Sequence, residues 1–330
     1  MTDMPVNAAG LAGRPSFDAR QLLGRYGAIF VLVLMIVTFS IIEPTAFPTK
    51  DNAINILNQC ALAAIIAMGL TFPLLAGEFD LSIGYNASLC GVVACELMLK
   101  QNLSIPLAFL VAIALGAAVG LVNGLLITRI RVNALVATLG VGTVVVGINY
   151  AISGGLPVSV NNTEQFINLS LGKLFGIPYP VYVMVVVAAL LWVLLNRTIL
   201  GQSMQAVGGN PVAARLSGIR VDRTRTLVFV LAGACAAVTG VLLASRTGSA
   251  SVDGGDGYML SAFAAAFFGS AVLRDGQFHI VGTLLGVLTV AVGFNAIAIT
   301  GINTYYQYLF QGGLLIFAVG VGTLARRQAG

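Results

Sequence analysis

Charge is what this chain has least of. Lysine, arginine, aspartate and glutamate make up 9% of its 330 residues, against about 25% in an ordinary soluble domain. So few charges cannot clothe a water-soluble globule of this size. Histidine occurs once, at His279, and one imidazole cannot build a His-rich metal site. The four cysteines, Cys60, Cys90, Cys95 and Cys235, all lie inside apolar runs. The spacings of zinc or redox motifs are absent, so they read as small buried residues. Of the three lysines, none sits in a G-x-x-x-x-G-K-[ST] pattern, because Lys173 follows Gly172 but precedes Leu174. The chain therefore lacks a phosphate-binding loop of its own. It also shows no nucleophile–base pair or metal cluster, which argues against an enzyme. The net charge of +5 is spread over basic residues at the ends of apolar runs rather than gathered in a patch, which argues against nucleic acid as a partner. No cleavable signal peptide is evident. Residues 1–26, polar and rich in Ala, Gly and Arg, read as a disordered cytoplasmic tail.

What the chain has instead is apolar length. Hydrophobic residues make up 58% of it, in continuous runs, several beyond the roughly 18 residues that mark a spanning helix. Lipid offers no hydrogen bonds, so such runs must be helical or close into a barrel. The runs do not alternate, which excludes the barrel. Ten spans are predicted: 27–42, 53–76, 83–99, 105–127, 134–152, 179–196, 226–246, 258–273, 280–300 and 304–324. Pro44, Pro48, Pro106, Pro157, Pro178 and Pro180 fall near run ends, as helix breakers do. Pro73 falls inside the second run, as a kink or a break. With the N-terminus in the cytoplasm, 13 of the 17 basic residues fall on the cytoplasmic side. Only Lys50, Lys100, Lys173 and Arg246 fall outside, the bias that sets orientation in membranes. A missed or extra helix in the middle would destroy it. Both termini, including a short tail 326–330, are then cytoplasmic.

Ten spans divide into five and five, and an odd-numbered half enters the membrane from opposite sides in its two copies. A duplication would therefore be inverted. An acid-and-glycine segment follows the second span (Gly77, Glu78, Asp80, Gly84) and another follows the seventh (Asp253, Gly254, Gly255, Asp256, Gly257). They are either echoes of such a repeat or plain glycine-rich turns.

The stretch Gly201 to Arg225, GQSMQAVGGNPVAARLSGIRVDRTR, is the longest polar segment on the cytoplasmic side after the N-terminal tail. Pro211 suits the first turn of a short helix with Asn210 as its cap. Val212 to Ser217 supply about one and a half turns, and Gly218 can stop them in the left-handed conformation. A bare connector needs no caps. Small Ala213 and Ala214 permit close approach to a groove, with Arg215 at its rim. The element is either a knob that transmits force from a soluble partner or an interfacial helix anchored on headgroups through arginine.

This segment resembles the cytoplasmic signature of permeases in the bacterial ribose/xylose/arabinose-type ABC importers. AGEFDLSIG at 76–84, NGLLITRIRVNALVATLG at 123–140, and the run from Gly282 through Asn295 and Tyr305 to Gly313 are similar to the same family in the same order. The likeness spans residues 25–325. It implies an all-α ABC permease fold of ten helices (27–325) in an inverted 5+5 arrangement, with 197–225 as the coupling loop to a cytoplasmic ATPase. It also implies a periplasmic solute-binding protein and a second permease copy or homologue. No cofactor is expected on this chain, ATP and Mg being used by the ATPase. Gly209, Asn210, Pro211, Ala213, Ala214, Arg215 and Gly218 would be the coupling residues. The segment GSAVLRDGQFHIVGT departs from the family's glycine-rich run, being more polar at Arg274, Asp275, Gln277 and His279.

Few polar residues interrupt the spans. Asp80, with Ser82 and Asn86 close by, lines a solute path or caps the following helix through its amides. Glu96 reaches headgroups or water. Asn295 suits sugar hydroxyls, or an interhelical hydrogen bond. Gly116, Gly120 and Gly124 form a ladder for close helix packing. Tyr305, Tyr306 and Tyr308 form an aromatic belt or stack on a passing sugar ring. An ion-coupled secondary transporter is the competing class, but it would bury more titratable groups than Asp80 and Glu96. A scarcity of polar span residues suits a weak, passing site.

The topology is tested by labelling single cysteines placed after Lys173 and after Arg215. Reagents that cannot cross the membrane are expected to reach the two from opposite sides, and reaction from the same side would overturn the ten-span arrangement.

Overall fold

The computed structural model describes residues 19–161, 163–270 and 276–329. Ten long helices fall on the ten predicted spans. They are α1 (Ala19–Ile42), α2 (Lys50–Leu75), α3 (Ile83–Lys100), α4 (Ile105–Thr128) and α5 (Ala134–Ser153), then α7 (Tyr179–Arg197), α10 (Val221–Thr247), α11 (Asp256–Ser270), α12 (Ile280–Ile299) and α13 (Tyr305–Ala329). By length and hydropathy, α2, α4, α5, α7, α10 and α12 can each cross a bilayer. Three short helices lie between the spans: α6 (Thr163–Leu171), α8 (Ile199–Gly209) and α9 (Pro211–Leu216). Two-residue strands form two small antiparallel pairs, β1 (Val158–Ser159) with β4 (Ser249–Ala250) and β2 (Lys173–Leu174) with β3 (Ile177–Pro178).

Two boundaries differ from expectation. The first helix begins at Ala19, not 27. Ala, Arg, Gln and Leu are strong helix formers and carry the helix beyond its apolar run. At the other end α13 continues through residues expected as a tail. Residues 19–26, expected as part of a disordered tail, are thus helical, while residues 1–18 lie outside the described residues, as do Arg274 and Asp275. Pro73 neither breaks nor interrupts α2 but sits in its last turn.

The halves α1–α5 and α7–α13 pack by the same rules. In the first, α3 packs on α4 and α5; in the second, α11 packs on α12 and α13. Between them α10 packs on α4 and α3, while α2 packs on α12 and α11. Exchanging the halves maps each of these contacts onto another, and the α2–α10 contact maps onto itself, while the packing of α1 on α12 and of α7 on α2 stands outside the exchange. Five spans per half make the relation an inverted one. The two acid-and-glycine segments hold equivalent places, ahead of α3 and of α11, and they meet. A side chain at Gly84 would press on the Gly255 carbonyl, and the Gly255 amide donates to Ser88 Oγ at 2.8 Å.

Lipid tails are as apolar as leucine, so helices in a bilayer associate by close packing. The ladder of α4 does this against α10. A Cβ at Gly116 would meet the Gly233 carbonyl, one at Gly120 the Phe229 carbonyl, and one at Gly124 the Thr226 backbone. Gly120→Val should therefore cost about 3 kcal/mol, the upper range of overpacking, and lower the melting temperature of the purified protein. Gly140→Ala, with nothing within 4 Å of the new methyl, should leave it unchanged. Equal melting of the two variants would contradict the packing described.

Candidate functional site

The polar stretch after α7 folds into two capped helices. Thr198 Oγ1 accepts the Gly201 amide at 3.1 Å and starts α8. Near its end, Gly208 lies so close to the Leu75 carbonyl at the end of α2 that no Cβ would fit. Asn210 then opens α9: its Oδ1 accepts the amides of Val212 and Ala213, both at 3.0 Å. Pro211 is the first helical residue. At the other end the Gly218 amide donates to Arg215 O and the Ile219 amide to Ala214 O, both at 3.0 Å. Gly218 has φ +84°. This is the paired-bond left-handed stop that glycine permits.

The knob has two sides. Ala214 is buried with Val207 and Val221, and Ile219 packs on that small cluster. Ala213, by contrast, is exposed. Of the two alanines expected to permit close approach to a groove, only Ala213 is exposed, because the underside of a six-residue helix resting on its own protein must also be small and apolar. Val212 and Leu216 are 68% and 85% exposed. Asn210, Arg215 and Gly209 are exposed around them. The Arg215 guanidinium lies 3.7 Å from Asp222, whose two oxygens also take a forked contact from Arg131 at 3.1 and 2.9 Å. The knob is thus tied to the start of α10 and, through Asp222, to the α4–α5 connection. Exposed pairs of this kind contribute at most about 1 kcal/mol each and set position more than stability. Beside them Arg225 Nε lies 3.3 Å from Glu78, joining α10 to the segment after α2. Burial pushes the Glu78 carboxyl above its usual range and Arg225 opposes the shift.

The four polar residues expected along a path are buried and each is engaged. Asp80 Oδ1 accepts the Ser82 amide at 2.9 Å and hydroxyl at 2.6 Å. It caps the turn leading into α3 rather than the helix itself, whose first residue is Ile83. Asn123 Nδ2 donates to Ser82 Oγ at 2.7 Å and ties α4 to that turn. Asn86 Nδ2 donates to Gly116 O at 3.1 Å, again toward α4. Asn295 Nδ2 donates to Asn52 Oδ1 at 2.8 Å, linking α12 to α2. Glu96 pairs with Lys100 at 2.7 Å.

Two cavities have linings that sequence reasoning missed. One, about 460 Å³, lies near the knob, bounded by Glu78, Gln205 and the rings of Phe79, Phe267 and Phe278. Those rings continue an aromatic cluster with Phe263. The other, about 320 Å³, lies where α2 begins and α10 ends, between α2 and α10–α13; it is lined by Gln59, Arg246, Tyr258, Ser261, Gln307 and Gln311 among others. One signal for it was in the sequence: Gln307 and Gln311 stand one helical turn apart in an otherwise apolar span. Tyr308, 70% exposed, also lines this cavity.

A polytopic bundle of two interchanged halves, with a capped helical knob at one end, is a membrane transport subunit by architecture. The comparisons supply the family. Residues 52–319 match the family model described as branched-chain amino acid transport system / permease component, and the chain belongs to that family. The ribose import permease protein RbsC of Escherichia coli (strain K12) is 35% identical over 94% of this chain and 96% of its own. The L-arabinose ABC transporter permease protein AraH of Azospirillum brasilense is 36% identical over 99% of this chain and 96% of its own. A solved metal-chelate type ABC transporter in an inward-facing conformation has a TM-score of 0.51 at 14% identity, over 91% of this chain and 99% of that one; at that identity the likeness concerns the fold. The chain is accordingly a permease subunit of an ABC importer.

Because Gly218 sits at positive φ, Gly218→Val should cost on the order of 1–2 kcal/mol. Amides of 212–219 should exchange faster with solvent while those of the α10 core stay protected. Unchanged exchange at 212–219 would contradict the left-handed stop.

Proposed function

We propose that the chain carries a monosaccharide or a similarly small polar solute across the bacterial inner membrane, with both termini in the cytoplasm, and that a separate ATPase subunit drives it through the α9 knob. The observation that carries this reading is the knob itself: a helix stopped at both ends, anchored by Ala214 and presenting exposed Val212, Ala213 and Leu216. A rigid short element transmits displacement, and an apolar tip with a charged rim is the surface a protein groove buries. ATP and Mg²⁺ belong to the ATPase. A periplasmic binding protein delivers the solute at the opposite end, and a second permease copy or a homologue completes the complex. Asn210, Pro211 and Gly218 shape the knob, Gly209 leads into it, and Arg215 contacts the groove's rim.

The solute class is taken from the relatives. Those matching over most of both chains are named for ribose, arabinose, D-allose and galactose, whereas the family description names branched-chain amino acids. The 320 Å³ cavity sets Gln59, Arg246, Ser261, Gln307 and Gln311 among apolar residues such as Val287, Val290 and Phe294, which gives hydroxyls partners on a largely apolar wall. Asp80, Ser82, Asn86 and Asn295 then serve the path from behind, by fixing the helices around it.

The knob assignment is tested with Ala213→Trp in the reconstituted complex. The permease should insert at normal abundance, uptake should fall at least about tenfold, the scale of losing one buried contact of 1.4 kcal/mol, and ATPase stimulation by loaded binding protein should disappear. Arg215→Ala should be milder. Full uptake and full stimulation in Ala213→Trp would reduce the knob to a membrane-surface anchor.

A further inference from the structure

We propose that the cavity between α2 and α10–α13 holds one monosaccharide, and that Arg246 is the residue that grips its hydroxyls; the inference rests on the sugar-import reading above. The volume, about 320 Å³, is at the low end of the roughly 300–1,000 Å³ typical of small-molecule sites and has room for a sugar ring. Arg246 is the one charged residue in the lining. Among the described residues no carboxylate lies within 4 Å of it. One guanidinium nitrogen donates to Asn58 O at 2.7 Å and lies 3.5 Å from Asn58 Oδ1, which holds the group at the cavity wall. A cation this close to the bundle interior is expensive unless oxygens surround it. The planar fork of arginine suits two neighbouring oxygens at once, the pattern that vicinal hydroxyls present.

The other groups suit the same guest. Gln311 Nε2 donates to Ser261 Oγ at 3.0 Å and Gln307 Nε2 to Phe294 O at 3.3 Å, so both amides are held in fixed orientations on the wall. Amides and a hydroxyl supply donors and acceptors together, as a polyol requires. With no acid in the lining and one fixed positive charge, the cavity disfavours solutes bearing an ammonium group.

The test uses the whole complex in proteoliposomes, with a reporter cysteine at Gln59→Cys in a Cys60→Ala background. Uptake of D-ribose, L-arabinose and D-galactose is measured first. The reporter is then labelled with an anionic sulfonate-bearing thiol reagent and with its cationic trimethylammonium counterpart. The anionic reagent should react faster, and the ratio should fall at least about tenfold in Arg246→Gln, the scale expected for one nearby charge, but hold in Arg246→Lys. The transported sugar should slow labelling with Arg246 present and not in Arg246→Gln. If Arg246→Gln does not assemble, Gln311→Leu, which keeps the Asn58 contact, should show the same loss of protection. Uptake without protection, or a ratio indifferent to Arg246, overturns this inference and leaves the importer reading standing. Uptake of none of the three sugars overturns the sugar reading and the inference with it.

Discussion

The fold depends on how closely α10 can approach its neighbours. In lipid, burying leucine against leucine gains little over burying it in acyl chains, so association rests on contact distance and on hydrogen bonds between helices. Gly116, Gly120 and Gly124 bring the backbone of α4 onto α10, and Gly91 meets Gly240 where α3 crosses it. At that distance polar side chains reach the next helix. Asn86 bonds the Gly116 carbonyl, Thr128 Oγ1 bonds Thr226 Oγ1 at 3.2 Å, and Thr239 bonds the Leu62 carbonyl. The second half repeats the device where Gly269 and Ala265 of α11 meet Gly282 and Gly286 of α12.

The long helices were legible because the bilayer imposes a minimum apolar length. The knob was legible because caps are local: Asn210, Pro211 and Gly218 each act within a few residues. The inverted relation was only half legible. Counting spans implies inversion, but nothing in the sequence says that Gly84 and Gly255 touch, since that contact depends on two turns entering from opposite ends. The direction of a short helix was not legible either. Ala213 and Ala214 are chemically alike, and only the position of Val207 and Val221 decides which of them is buried.

The polar span residues show what composition leaves open. Asp80, Ser82, Asn86 and Asn295 are rare polar groups in apolar surroundings, and rarity drew attention to them. Each has a hydrogen-bond partner on another helix or a nearby turn, while Asn295 Oδ1 stays buried without one. The cavity-lining groups are scattered along the chain, Gln59 inside α2, Arg246 near the end of α10 and Gln307 near the start of α13. Their convergence comes from five helices brought together by the fold, a relation no single segment carries.

The α9 knob, the Asp222 contacts and the Glu78–Arg225 pair form one connected surface from the exposed tip to the ends of α2 and α10. The central claim is that this tip is where the ATPase docks. It is tested by placing a photoreactive benzoyl-phenylalanine at Val212 in the assembled complex and, separately, at Tyr305. Irradiation should join Val212 to the ATPase subunit and leave Tyr305 unjoined to it. A Val212 probe that joins only lipid, with the complex intact, would contradict the account.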